Sequence, residues 1–127
     1  MVSRYTIFPS SGYKHLGCWR DEENDHSIPN IEGSDSRLDG HYATRDNAIK
    51  KCFEVARDKK MVLFALQHGG GCHAADNLNG YAKHGGSTDC SDGKGGNRAN
   101  DVYLINEGKL HTPISNSDQF CCNVFKI

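Results

Sequence analysis

Six cysteines in a chain of 127 residues constrain this fold more than any other feature. They stand at Cys18, Cys52, Cys72, Cys90, Cys121 and Cys122, an even number spread along the chain. No CxxC pair occurs, which argues against a zinc ribbon or a thioredoxin-type motif. The pattern reads as a disulfide framework, and so as a chain made for an oxidising, extracellular compartment. Composition shows why staples are needed: hydrophobic residues make up 36% and mean hydropathy is −0.67. A core built from so little is modest, and cross-links supplement it. The length suits one domain over residues 1–127, with 1–15 as an N-terminal arm or edge strand.

Several function classes recede on charge and pattern. Lys and Arg number 15 against 16 Asp and Glu, a net charge of −1. That balance lacks the basic excess expected of a nucleic-acid partner. No apolar run approaches the ~20 residues needed to cross a bilayer; the longest, Met61 to Leu66, is strand-sized. Met1-Val2-Ser3-Arg4-Tyr5 opens no apolar leader, so the expected form is a mature secreted chain with an added or retained Met. No Asn-x-Ser/Thr sequon occurs, so N-glycosylation is not expected. Seven histidines allow triads on paper, but there is no nucleophile elbow, HExxH or phosphate-gripping loop, and no enzyme is expected.

The chain divides by texture. Leu16 to Asp21 reads as a short strand running into a polar turn, Glu22 to Asp25. Residues 26–43, with Pro29, Gly33 and Gly40, read as an irregular loop. One helix is clear. Thr44 is its expected N-cap and Asp46 lies in its first turn. Ile49, Cys52, Phe53 and Ala56 recur at helical spacing, which puts Cys52 on the buried stripe, positioned to bond to a strand beneath. Met61 to Gln67 reads as a central strand buried on both faces. Asp101 to Ile105 is a further strand, ended by an Asn106-Glu107-Gly108 turn, and Phe120 to Ile127 another. Along the last one Cys121 and Cys122 point opposite ways and should have different partners. Three intrachain bridges, or an intermolecular bridge through Cys121 or Cys122, both fit.

Residues 69–96 hold nine of the 14 glycines, and regular structure is not expected there. A Cys72–Cys90 bridge would close a loop of about 19 residues and stabilise it by about 3 kcal/mol on the chain-entropy model. A long glycine-rich loop closed in this way reads as a functional surface.

These residues also carry a resemblance. Gly17-Cys18-Trp19-Arg20-Asp21, Arg37-Leu38, the helix bearing Cys52, Phe64-Ala65-Leu66-Gln67 leading into Gly71-Cys72, then Cys90, Gly95-Gly96 and Val102-Tyr103 resemble a WSC-type or PAN/apple-like module. The match covers residues 16–105; WSC modules usually carry eight cysteines, and the Cys121-Cys122 pair has no counterpart in them. A closer likeness is to secreted marine-invertebrate modules that include a sea-anemone galactose-binding lectin. It rests on Ile28-Pro29-Asn30-Ile31-Glu32-Gly33, Leu38-Asp39-Gly40-His41-Tyr42, Tyr81-Ala82-Lys83-His84-Gly85 and Gly93 to Tyr103. The resemblance implies a small disulfide-rich α+β domain, one main helix on a curved antiparallel sheet with long Gly-rich loops. It implies extracellular binding of glycans of galactose type, with calcium as an assisting ion. A PAN-type adhesion or matrix module without a sugar site is the alternative.

Sugar binding needs planar polar groups for vicinal hydroxyls and often an aromatic face. Gln67 and His68 at a strand exit, His73 and Tyr81 as stacking candidates, Arg98 and Asn100 are the expected sugar contacts. Trp19, the single tryptophan, reads as core or helix support rather than a sugar platform, and Arg20-Asp21 as a local surface ion pair. Asp89, Asp92, Asn97, Asn100 and Asp101 offer hard oxygen for calcium, though the spacing is not an EF-hand and the same residues build turns. Single-site sugar affinity is weak and linked sites raise avidity, so a homodimer is expected.

Overall fold

The structure is a computed structural model that describes residues 12–106. Tyr13–Ile105 forms one compact unit. Its elements are β1 (Tyr13–Arg20), α1 (Ala48–Asp58), β2 (Leu63–Gln67), β3 (Gly71–Ala75) and β4 (Ala99–Ile105), with short 3-10 turns at Ser36–Leu38 and Tyr42–Thr44. The strands form a sheet in the order β1-β4-β2-β3, and every pairing is antiparallel. The fold is therefore α+β, one main helix on an antiparallel sheet.

The apolar run over β2 is buried at every position. Alternation along the strand sends Phe64 and Leu66 to one face and Leu63, Ala65 and Gln67 to the other. The first face is covered by α1, whose Cys52, Phe53, Val55 and Ala56 pack with Phe64, Leu66, Tyr103 and Ile105. The second face carries a smaller cluster of Ile28, Leu63, Ala65 and Val102, with Leu16, Trp19 and Tyr81 against it. Trp19 is thus core support. Toward one end this second face stops being apolar: Gln67 pairs in register with Asn100, which in turn pairs with Trp19.

Loop segments line the outer edge of β3 and the Cys18 to Arg20 end of β1, which blunts those edges. Asn30 bridges to His73, and the amides of Ile31 and Ala74 bond the carbonyls of Cys72 and Pro29. At the other edge Arg20 N–H donates to Gly85 O and Ser87 N–H to Cys18 O.

Two disulfides join described residues, Cys18–Cys90 and Cys52–Cys72. Cys52 bonds to a strand beneath, as its place on the stripe predicts. The Cys72–Cys90 bridge does not form. Cys72 faces α1 from β3, within reach of Cys52, while Cys90 lies beside β1. Cys121, Cys122, the expected 120–127 strand and most of the N-terminal arm lie outside the described residues, though Tyr13 to His15 belong to the edge strand β1.

Two local expectations are corrected. The helix begins at Ala48, after Asn47 in a left-handed conformation (φ 51°), not after a Thr44 cap. The Thr44 hydroxyl instead donates back to His41 O within a 3-10 turn. That turn ends because Arg45 is drawn inward: its guanidinium makes two 2.7 Å bonds to Glu32 and also donates to the carbonyls of Leu38 and Gly70. The 26–43 segment is the expected irregular loop; it is pinned against β3 and holds the Ser36–Leu38 turn and the start of the Tyr42–Thr44 turn. Finally, the glycine-rich tract contains β3. Its glycines serve close approach: a Cβ on Gly70 would lie 2.3 Å from Tyr42 O, and one on Gly95 2.1 Å from Leu66 O.

Candidate functional site

Where the second face turns polar, a buried network is centred on Asp21. β1 delivers this residue: Arg20 N–H bonds Gly85 O and Asp21 N–H bonds Arg98 O, which draws the chain inward between two loops. Asp21 is 1% exposed. A carboxylate so placed needs a full set of donors. Oδ1 accepts from the Ser27 amide at 2.9 Å and the Ser27 hydroxyl at 3.3 Å. Oδ2 lies 2.7 Å from His26 Nδ1 and accepts from Gln67 Nε2 at 2.7 Å. Burial works against the charge, but the hydrogen bonds from Ser27, His26 and Gln67 outweigh it and hold the carboxyl below the usual carboxylate range. The expected Arg20–Asp21 ion pair is not formed; Arg20 pairs with Glu22 at 2.8 Å.

Asp21 fixes its neighbours in turn. Gln67 uses both amide hydrogens, one on Asp21 and one on Asn100 Oδ1 at 2.9 Å. That leaves its Oε1 to the pocket that Gln67 lines. Asn100 is fully buried behind Gln67, and its Nδ2 donates to Ser27 Oγ at 3.3 Å. His73 Nδ1 lies 3.0 Å from Ile28 O. A carbonyl only accepts, so the ring carries hydrogen on Nδ1 and presents Nε2 as an acceptor. Burial, partly opposed by the Ile28 contact, lowers the pKa of His73 and keeps it neutral. His26 stands with its ring centroid 6.0 Å from that of His73.

These groups line a pocket of about 340 Å³. Asp21, His26, Gln67 and His73 form one part of its wall, and Glu23, Asn30, His68, Asn97 and Arg98 the rest. Asn30 is held there by its bridge to His73, beside Glu32, which accepts from the Cys72 amide and from Arg45. His68 (φ 56°) and Arg98 (φ 50°) both sit in the left-handed region. Non-glycine residues in that conformation cost free energy and concentrate where function requires them.

Of the expected sugar contacts, Gln67, His68, His73 and Arg98 line this pocket, as does Asn97. Asn100 supports it from behind. Tyr81 does not reach it; its ring packs edge-to-face on Trp19 at 5.6 Å. The five expected calcium donors do not converge. Asp101 bonds His15 Nε2 at 2.7 Å and the Gly95 amide at 2.8 Å, on the opposite face of β4 from Asn100. Asp89 lines an adjoining pocket and Asp92 a separate one at the start of α1. Among the described residues no group of three or more His, Cys, Asp or Glu is arranged to hold a metal ion.

Asp21, Glu23, His26 and Asn30 were not legible as site residues. Asp21 sits where a strand meets a charged turn, and the only local signal is Ser27 six positions on, close enough to close a turn on its carboxylate. The lining offers acceptors (Gln67 Oε1, His73 Nε2, Glu23), side-chain amides and one guanidinium, but no hydroxyl or thiol nucleophile. Ser27, the nearest hydroxyl to the Asp21–His26 pair, donates to Asp21. No protein-family model matches the chain, and no curated protein matches it.

Proposed function

We propose that this protein is a secreted carbohydrate-binding lectin, and that the pocket beside Asp21 receives a sugar unit. The observation that carries the reading is the set of planar polar groups around about 340 Å³, with Gln67, His73 and Asn30 held by hydrogen bonds and Asn97 beside them, a volume near the lower end for small-ligand sites. Hydroxyls on adjacent ring carbons need acceptors and donors in set directions, and the bonds to Asp21, Asn100 and Ile28 O set two of those directions in advance. The galactose class rests on the resemblance in residues 28–33, 38–42, 81–85 and 93–103. The proposal is made without calcium, because Asp101 and Asn100 already have protein partners. Two disulfides suit an extracellular setting. A dimer joined through Cys121 or Cys122 would raise avidity, and gels run with and without reductant decide it.

The test is a glycan array followed by calorimetric titration with galactose. Asn30→Ala and Arg98→Ala should each weaken binding about tenfold, with unchanged circular dichroism. An array without any glycan signal sinks the proposal and favours the PAN-type protein-binding module.

A further inference from the structure

A second, wider pocket of about 690 Å³ adjoins the first, and the two share Asn97 and Arg98 as a common wall. Its other lining residues are Arg20, Gly86, Ser87, Thr88 and Asp89. We infer, on top of the lectin reading, that this pocket is a second subsite for an anionic saccharide unit, one carrying a sulfate ester or a carboxylate.

Three observations support this. First, the charge changes across the shared wall. The inner pocket sets Asp21 and Glu23 against the shared Arg98, whereas the outer one sets Arg98 and Arg20 against the one carboxylate of Asp89. Second, both arginines retain unused donors. Arg20 bonds Glu22 through Nε alone, and Arg98 bonds Glu23 through one terminal nitrogen. A guanidinium carries five N–H donors in a fork that matches carboxylate and sulfate oxygens. Both arginine side chains are more than half exposed, 57% and 56%, so a ligand reaches them and competes with weak surface pairs. Third, the wall is preformed. Ser87 is tied to Cys18 O, Cys90 is bonded to Cys18, and the Asp89 amide bonds Ser87 Oγ at 3.0 Å. Asp89, close enough to Arg20 to favour its charge, is left as an acceptor for a sugar hydroxyl beside the anion.

The test compares galactose, lactose, a sulfate ester of lactose and sialylated lactose by calorimetry at low and high salt. At low salt, one or both anionic probes should bind about fivefold tighter than lactose, and salt should erase the gain. Which probe gains identifies sulfate or carboxylate as the recognised group. Arg20→Ala should abolish the gain and leave galactose affinity unchanged, because Arg20 does not line the inner pocket. Equal affinity for lactose and both anionic probes overturns the subsite while leaving the lectin reading intact. So does a gain that survives Arg20→Ala. Failure of all four probes to bind overturns the lectin reading and the subsite with it.

Discussion

Asp21 decides the site at the level of single residues. Four hydrogen bonds converge on a carboxylate that is almost wholly buried. In Asp21→Asn one of the two oxygens becomes an amide that faces donors instead of accepting from them. That variant should lose about 2–3 kcal/mol of stability, read from the urea midpoint, and weaken galactose binding by freeing Gln67. A variant as stable as the parent contradicts the network. His73 supplies a pH signature. Burial holds its folded pKa below the ordinary 6.5, so on acidification the unfolded chain takes up a proton before the native state does. The stability due to neutral His73 is complete above about pH 6.5 and is lost as pH falls toward the folded value. Asp21 and Glu32, also depressed, lose theirs lower, below their ordinary 3.8 and 4.5. Urea midpoints should therefore fall between about pH 7 and pH 5, and His73→Gln should flatten that slope; a rise over the range contradicts the assignment. At this scale the sequence was partly legible. A Gln at the exit of an apolar strand stands out, whereas Asp21 takes its role from contacts with residues up to 46 positions away.

Elements with strong periodicity were readable, and those set by long-range contacts were not. The stripe over Cys52, Phe53 and Ala56 and the apolar run of β2 carry their burial in their own spacing. The start of α1 does not, because Arg45 is committed to Glu32 and three carbonyls and delays the helix past Thr44. The glycine tract misleads for a related reason. Glycine is costly to order, yet here it permits backbone contacts that no other residue allows. Gly95 is the clearest case: it has φ 75°, and a Cβ would lie 2.1 Å from Leu66 O and 2.6 Å from Gln67 Cα. Gly95→Ala should cost about 2–3 kcal/mol and displace Asn97 and Arg98, weakening sugar binding more than Gly80→Ala, which shares the positive φ but meets only Lys83 Cδ at 3.9 Å. Equal effects of the two substitutions contradict close approach as the reason for the glycine.

For the molecule as a whole, the cysteine count announced the strategy but not the pairing. A Cys72–Cys90 bridge is one pairing the glycine tract allows; the sheet order instead sets Cys72 under α1 and Cys90 beside β1. The Cys18–Cys90 bond spans 72 positions, and on the chain-entropy model it restricts the unfolded chain by about 4 kcal/mol. It also anchors the loop that walls the outer pocket, so the cross-link that supplements a small core shapes the polar end of the sheet. Sugar recognition at this end is the proposal on which the rest depends. An isotope-labelled NMR titration with galactose tests it most directly: the side-chain amides of Asn30, Gln67 and Asn97 should shift saturably, while the backbone around Tyr81 and Asp92 stays still. Saturable shifts centred away from those three amides, or none at all, would contradict it.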